Sequence, residues 1–172
     1  MRADRDTERL CPSGKREDNR DVQIRVRRAR AEDQPAISAL VRRARLNPAN
    51  LRWAWFVIAE HDRRVVGVAQ LRRHVDGATE LSSLVVEPDV RRQGVARRMV
   101  DALLADERGP VYTLIDRRFV QHFTRWGFAP VDPSQLPRSM SRGYRIGRVV
   151  TGVGSVLRRQ RIRLVPLLRR VG

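Results

Sequence analysis

A glycine-bearing turn with the sequence Arg91-Arg92-Gln93-Gly94-Val95-Ala96 has the composition of a phosphate-binding site. It follows the apolar run 81–86 and opens a helical pattern that continues to about Leu104. The first N–H groups of a helix have no intrahelical partner, and the helix dipole adds partial positive charge there. Because Gly94 has no Cβ, the backbone can approach a ligand closely. The sequence therefore predicts that a diphosphate-bearing cofactor binds at this turn.

Alternating and helical patterns predict the elements that position this turn. Strands are predicted at 22–27, 55–59, 65–71, 79–86, 111–115, 128–131 and 161–168, and helices at 33–46, 91–104, 119–126 and 144–157. Asp33 is expected to cap the first helix, with Pro35 in its first turn. The strand, helix and strand from Thr79 to Ile115 imply a parallel pair with a right-handed crossover. We therefore predict an α+β fold with a mixed, mostly antiparallel sheet flanked by helices, in which this crossover carries the turn.

The charge distribution leaves the role of the C-terminus open. The chain has 172 residues and a formal net charge of +17, and ten arginines but no acidic residue follow Asp132. Such a segment is either a solvated basic face or a surface for nucleic acid, anionic lipid or an acidic substrate. We predict a disordered polar tail over 1–20 and a single domain over 21–172. Within that domain, 22–131 form the core and 132–172 form a basic C-terminal extension that completes the sheet.

Composition also limits the kind of site and the compartment. Cys11 is the only cysteine, so an intramolecular disulfide or a cysteine zinc cluster is not possible, and no metal is predicted. No apolar run approaches the ~18 residues of a transmembrane helix, and the N-terminus lacks the apolar core of a signal peptide. We expect a cytoplasmic monomer or homodimer without a membrane span.

With these elements in place, the chain resembles the GNAT superfamily of acyl-CoA-dependent N-acetyltransferases. The family pattern is Gln/Arg-x-x-Gly-x-Gly/Ala between a strand and a helix, and Arg91, Gly94 and Ala96 occupy its three defined positions. The segment 123–128, Phe-Thr-Arg-Trp-Gly-Phe, resembles the aromatic-x-x-x-Gly-Phe segment of the family. The resemblance covers 22–131 and extends loosely to the C-terminus. Residues 77–86 and the loop 131–138 are similar to a bacterial branch near N-acetylglutamate synthase, which implies a small amino-acid-like amine as substrate.

The resemblance implies that acetyl-CoA is the co-substrate. In GNAT enzymes the turn's backbone amides bind the CoA pyrophosphate, and the splayed strand before it pairs with the pantetheine arm and the acetyl carbonyl. The residues assigned in this way are Leu84, Val85, Val86, Arg91, Arg92, Gln93, Gly94, Val95, Ala96, Arg97 and Phe123. Family members often have glycine where this chain has Arg92, and a side chain there is compatible with binding if it points outward.

Glu80, at the start of the same strand, is the candidate catalytic residue. An amine must lose a proton before it attacks a thioester, so a base near the amine is needed. The resemblance implies that a glutamate near this position takes the proton, commonly through water. The alternative interpretation is a solvent-facing strand glutamate. His74 and His61, each at a turn, are further base candidates.

Phe123 falls where the family often has a tyrosine that protonates the leaving thiolate. Phenylalanine has no proton to donate. A thiol with a pKa near ~8.5 is a tolerable leaving group without an acid, and water, His122 or Tyr112 could substitute for the tyrosine.

Three functions remain open from the sequence. The first is an N-acetyltransferase that acts by direct attack of the amine, with Glu80 as base. The second, which Phe123 motivates, is a catalytically weakened domain that binds or senses acyl-CoA. The third is an arginine-rich nucleic-acid-binding or ribosome-associated protein, which is not favoured because Tyr144 is the only aromatic residue of the basic segment. Candidates for the acceptor site are Arg42, Arg43, Arg45 and Trp53.

Overall fold

The computed structural model describes residues 23–145 and 163–170. The strands of this part are β1 (Arg25–Arg28), β2 (Phe56–His61), β3 (Arg64–Arg73), β4 (Thr79–Val86), β5 (Val111–Asp116), β6 (Phe128–Pro130) and β7 (Leu164–Arg169). Its helices are α1 (Gln34–Arg43), α2 (Val95–Leu104), α3 (Val120–Thr124) and α4 (138–145). The predicted tail 1–20 and the part of the predicted helix 144–157 beyond residue 145 lie outside the described residues. No described helix is long and apolar enough to cross a membrane.

The strands form one mixed sheet in the order β1-β2-β3-β4-β5-β7-β6. The pair β4 and β5, joined through α2, is parallel, and the other neighbouring pairs are antiparallel. The predicted α+β fold with one parallel crossover is therefore confirmed. The last strand lies between β5 and β6, so the chain returns to insert β7 into the sheet.

The two faces of the sheet are covered differently. On one face, α2 and α3 pack over a large apolar cluster that includes Met99, Leu103 and Phe123. On the other face, α1 packs on β2 and β3, and α4 packs on β5 and β7. In register, Glu80 of β4 lies between Arg72 of β3 and Tyr112 of β5. Because neighbours in register point to the same face, these polar side chains share the face between α1 and α4.

Asp33 directly precedes α1, as expected, but its side chain makes no capping hydrogen bond to that helix. Its carboxylate accepts instead from Arg27 Nη1 at 2.7 Å and from the backbone N–H of Arg30 at 2.7 Å. Burial raises the pKa of this carboxyl, but the bonds from Arg27 and Arg30 outweigh burial and hold the pKa below its usual value. The prediction that the Asp33 side chain caps α1 is thus wrong, because Arg27 on β1 competes for its carboxylate.

Candidate active site

Strands β4 and β5 separate soon after they begin. Their register includes the pairs Thr79 with Val111 and Glu80 with Tyr112 and then ends. At the next position Thr113 Oγ1 donates to the carbonyl of Leu81 at 2.8 Å, so a side chain replaces the backbone ladder. Beyond that point, residues 84–86 have no strand partner on the β5 side within the described chain. The backbone of 84–86 therefore borders a gap on the β5 side of β4, where the resemblance implies that the pantetheine arm binds.

A bulge in β4 shapes this opening. The pairing of β3 with β4 shifts at Val68/Gln70, and Ser83 has a φ of 53°. The buried Gln70 accepts from the hydroxyls of Ser82 and Ser83 at 3.3 and 3.4 Å and donates to the carbonyl of Asn50 at 2.9 Å. Gln70 therefore ties the bulge to the loop before β2. Sequence reasoning missed it, although a glutamine within an apolar strand was a usable signal.

The predicted phosphate turn has the backbone geometry of an anion site. Arg92 and Gly94 have φ values of 62° and 72°, and the Arg98 N–H donates to the Gly94 carbonyl at 3.0 Å as the first bond of α2. Within the described residues, the N–H groups of 92–97 have no backbone carbonyl partner. The left-handed φ of Arg92 explains why glycine is favoured there, and the Arg92 side chain is exposed. No atom lies within 4 Å of the position that a Cβ on Gly94 would occupy, so a ligand has room to approach the backbone there.

The start of this turn is anchored by Glu87, which sequence reasoning interpreted only as part of a strand break. Glu87 is buried, its N–H donates to the Val66 carbonyl at 2.8 Å, and its carboxylate accepts from Arg43 Nη2 at 2.7 Å and from Arg64. At the other side, Arg91 Nε donates to the Val86 carbonyl at 2.9 Å. Arg43 was predicted to lie at the acceptor site. In the structure it is instead paired with Glu87, just before the turn.

Glu80 is 7% exposed, so the solvent-facing interpretation is wrong. Its Oε2 accepts from Arg72 Nη2 at 2.7 Å and lies 2.8 Å from His74 Nε2. The base candidate His74 is thus in direct contact with Glu80. His61 lies at the β2–β3 hairpin beside Asp62 at 3.3 Å, beyond the opposite end of β4.

Phe123 is a core residue on the face that α2 and α3 cover. It is 6% exposed, and its ring centroid lies 5.5 Å from that of Trp126 and 5.7 Å from that of Phe128. His122 is exposed beside Phe119. Of the groups that could substitute for the missing tyrosine, Tyr112 is the one in register with Glu80.

The remaining acceptor-site candidates lie near the end of α1 and before β2. Arg42, Arg45 and Trp53 are exposed, and the N–H of Trp53 donates to Gln34 Oε1 at 2.9 Å. Gln34 also donates to the Leu51 carbonyl at 2.8 Å, so α1 holds the loop that carries Trp53. Among the described residues, no group of three or more His, Cys, Asp or Glu side chains is arranged to hold a metal ion.

A family model for an acetyltransferase (GNAT) domain matches residues 52–130, which run from just before β2 to the end of β6. Over this range the chain is similar to a GNAT acetyltransferase domain. The match agrees with the resemblance on which the sequence analysis relied. The turn 91–97, Glu80 and Phe123 all lie inside the matched range.

Several solved structures share the fold of this chain. N-acetylglutamate synthase from Neisseria gonorrhoeae, complexed with coenzyme A and N-acetyl-glutamate, has a TM-score of 0.68 and 22% identity over 87% of this chain and 35% of that chain. Rv2747 from Mycobacterium tuberculosis, in complex with CoA, has a TM-score of 0.64 and 26% identity over 86% of this chain and 99% of that chain. Diaminobutyrate acetyltransferase from Paenibacillus lautus has a TM-score of 0.52 and 20% identity over 68% of this chain and 87% of that chain.

The chain spans about a third of the length of the N-acetylglutamate synthase chains, 35% and 33% in two structures. No curated protein matches the sequence.

Proposed function

We propose that this chain transfers the acetyl group of acetyl-CoA to the primary amine of a small amino-acid-like acceptor by direct attack. Acetyl-CoA supplies an activated thioester. The proposed CoA-binding residues are the strand end 84–86, the turn 91–97 and, as the resemblance implies, Phe123. Glu80 is the proposed general base. The burial of Phe123 makes its contribution one of packing under the site.

The observation that carries this proposal is the position of Glu80 relative to the opening between β4 and β5. Glu80 belongs to the last backbone pair before the strands separate, and the same strand ends at the phosphate turn. Acetyl-CoA held by the turn and by the edge of β4 at 84–86 would lie along β4. The same strand carries the buried carboxylate of Glu80. That carboxylate faces the side between α1 and α4, where an acceptor can enter.

The residues divide the chemical work. The N–H groups of 92–97, without a backbone carbonyl partner in the described part of the chain, would offer the partial positive charge of a helix start to the pyrophosphate. Arg72 Nη2 donates to Glu80 Oε2 at 2.7 Å and orients the carboxyl group that is proposed to accept a proton from the acceptor ammonium.

The direct test is release of free thiol from acetyl-CoA by the purified protein with a panel of amines. Glutamate and 2,4-diaminobutyrate come first, because the solved structures above have an N-acetyl-glutamate complex and a diaminobutyrate acetyltransferase among them. Polyamines, aminoglycosides and N-terminal peptides complete the panel. No thiol release above the rate without amine, across this panel, would contradict the proposal.

Glu80→Gln tests the base. We expect kcat to fall by about 100-fold or more, since general base catalysis contributes that much, while the dissociation constant of acetyl-CoA stays within about twofold. The matched control is Glu107→Gln, because Glu107 is also 7% exposed and paired to an arginine of β3, Arg73, but on the other face of the sheet. Equal loss of turnover and of cofactor affinity in Glu80→Gln would remove Glu80 from the role of base.

A second candidate is an acyl-CoA-binding domain with weakened catalysis. The observation that favours it is the burial of Phe123 among aromatic rings, with no phenol at that position. Thermal stabilisation by CoA without turnover on any amine of the panel would support this candidate. A measured turnover with one amine would exclude it.

A further inference from the structure

We propose that His74 is a positioning residue for Glu80, holding one carboxylate oxygen so that the other faces the acceptor ammonium. This inference rests on the proposed function, since it assigns a partner to the proposed base. It differs from the interpretation of His74 as a base in its own right.

The β3–β4 hairpin fixes the backbone of His74. Its N–H donates to the Ala78 carbonyl at 2.8 Å, and its carbonyl accepts from the Gly77 N–H at 3.1 Å. Gly77 has a φ of 80°, which closes the turn at no steric cost. The hairpin brings the imidazole back toward Glu80 on β4, and the His74 and Glu80 side chains are each about nine-tenths buried, at 10% exposed.

Both polar partners of Glu80 contact the same atom. Arg72 Nη2 and His74 Nε2 lie 2.7 and 2.8 Å from Oε2. An ionised carboxylate only accepts, so the imidazole carries its proton on Nε2 and donates it to Oε2. Arg72 Nε lies 3.4 Å from that nitrogen, but a protonated Nε2 cannot accept from it, so we interpret this contact as electrostatic.

Glu80 Oε1 takes no hydrogen bond from the described residues. Oε1 is also not fully buried. Within these residues, the one fully buried side-chain polar atom that lacks a hydrogen-bond partner is Nη1 of Arg169. In the described part of the chain, Oε1 therefore keeps some solvent exposure on the sheet face that Glu80 shares with α1 and α4. A carboxylate with one oxygen tied twice and the other free is pre-oriented to take a proton at the free oxygen.

The proton balance follows from this geometry. One proton of the acceptor ammonium passes to Glu80 Oε1, and the nitrogen lone pair forms the bond to the acyl carbon. The carbon–sulfur bond breaks, and the second proton that the nitrogen loses leaves with the thiolate sulfur. His74 keeps its proton throughout and acts only by holding Oε2.

Few charged groups surround this imidazole. Arg72 from β3 and Glu80 from β4 contact it, Tyr112 from β5 is in register with Glu80, and the hairpin turn contributes Asp76. The backbone N–H of Ser139 in α4 is the main cause that lowers the pKa of Asp76, so Asp76 stays ionised at neutral pH.

Enzyme kinetics test whether His74 acts through its contact with Glu80. We expect His74→Ala to lower kcat by about tenfold or more at pH 7 and to leave the KM for acetyl-CoA within about twofold. His74→Gln, which keeps a donor in the place of Nε2, should restore most of kcat. The pH profile of kcat/KM should change in His74→Ala but not in the control Glu107→Gln, since Glu107 is paired to Arg73 on the other face of the sheet.

A double-mutant cycle separates positioning from an independent role. If His74 acts only through Glu80, His74→Ala should have no further effect on kcat in the Glu80→Gln background. A full additional loss in that background would overturn the proposal. An unchanged kcat in His74→Ala, with the wild type active, would also overturn it and would leave the proposed function standing.

A second readout does not need turnover. Nitrogen NMR of the imidazoles should show His74 as the Nε2–H tautomer, and Glu80→Gln should shift its signals while those of His61 and His122 stay in place. A His74 protonated on Nδ1 alone would overturn the proposal whatever the activity. Absence of turnover in the wild type, together with the expected tautomer, would instead overturn the proposed function and with it the catalytic role of the pair.

Discussion

Gly94 and Arg92 determine the shape of the phosphate turn because both lie in the left-handed region, at φ 72° and 62°. For an L side chain that region costs roughly 1–2 kcal/mol per residue, so Arg92 carries a cost that Gly94 avoids. Bonds made by Glu87 and Arg91 hold the chain at the start of the turn. The N–H groups of 92–97, which have no backbone carbonyl partner within the described residues, lie around the start of α2.

Gly94→Ala should weaken binding of CoA. An added Cβ meets no atom within 4 Å, so the loss comes from the strained φ and from crowding of the ligand. We expect an affinity about tenfold lower and a stability about 1 kcal/mol lower, measured by calorimetric titration with CoA and by urea unfolding. The matched control is Gly143→Ala in α4, where a Cβ also meets nothing. Alanine there should leave CoA affinity unchanged and add up to about 1 kcal/mol of stability.

At the scale of elements, one carboxylate connects three of them. Glu87 begins the turn after β4 and accepts from Arg43 at the end of α1 and from Arg64 at the start of β3. The ion pairs of Glu87 therefore connect the start of the turn to the end of α1. A change in α1 can thus reach the cofactor turn through a direct hydrogen bond.

Glu87→Gln should loosen this anchor. We expect a loss of about 1–2 kcal/mol in the free energy of unfolding. The loss stays below that of a fully buried ion pair because Arg43 and Arg64 are solvent-exposed. The dissociation constant for CoA should rise, since the turn loses its fixed start. Glu107→Gln is again the control, because Glu107 binds Arg73 away from the turn; it should lower stability alone. If Glu87→Gln, like the control, left CoA affinity unchanged, Glu87 would be a structural residue only.

For the whole molecule, acid stability depends on aspartates that the fold holds ionised. Asp33 is the clearest case: burial raises its pKa, and the bonds from Arg27 and Arg30 lower it by more. The carboxyl therefore binds a proton more readily in the unfolded chain than in the folded one. The stabilisation is present above an unfolded pKa of about 4 and is lost as the pH falls through the lower folded pKa.

Urea unfolding between pH 6 and pH 3 measures this contribution. The midpoint should fall as the pH is lowered, and Asp33→Asn should be less stable at pH 6 and less dependent on pH. Asp106→Asn is the control, because Asp106 is highly exposed and its nearest cation, Arg28, is 3.8 Å away. The same pH dependence in Asp33→Asn and in the wild type would show that Asp33 contributes nothing to acid stability.

Sequence-based prediction succeeded for the features that neighbouring residues determine. The turn 91–96, the crossover helix and the strand 79–86 follow from helix-end chemistry and from periodicity, which neighbours within a few residues determine. The insertion of β7 between β5 and β6 was not predicted. That placement depends on which strand edges remain free, and periodicity does not report strand order.

By itself, the sequence determined the phosphate turn, the fold class and a glutamate at the start of β4. The tertiary structure decided what surrounds that glutamate. Register across β3 and β4 brought Arg72 and His74 to one oxygen of Glu80, and the same packing buried Phe123 away from it. The physical reason is that a turn's N–H groups are oriented by adjacent residues, whereas cross-strand contacts depend on a register set by the hairpin at Gly77 and the bulge at Ser83.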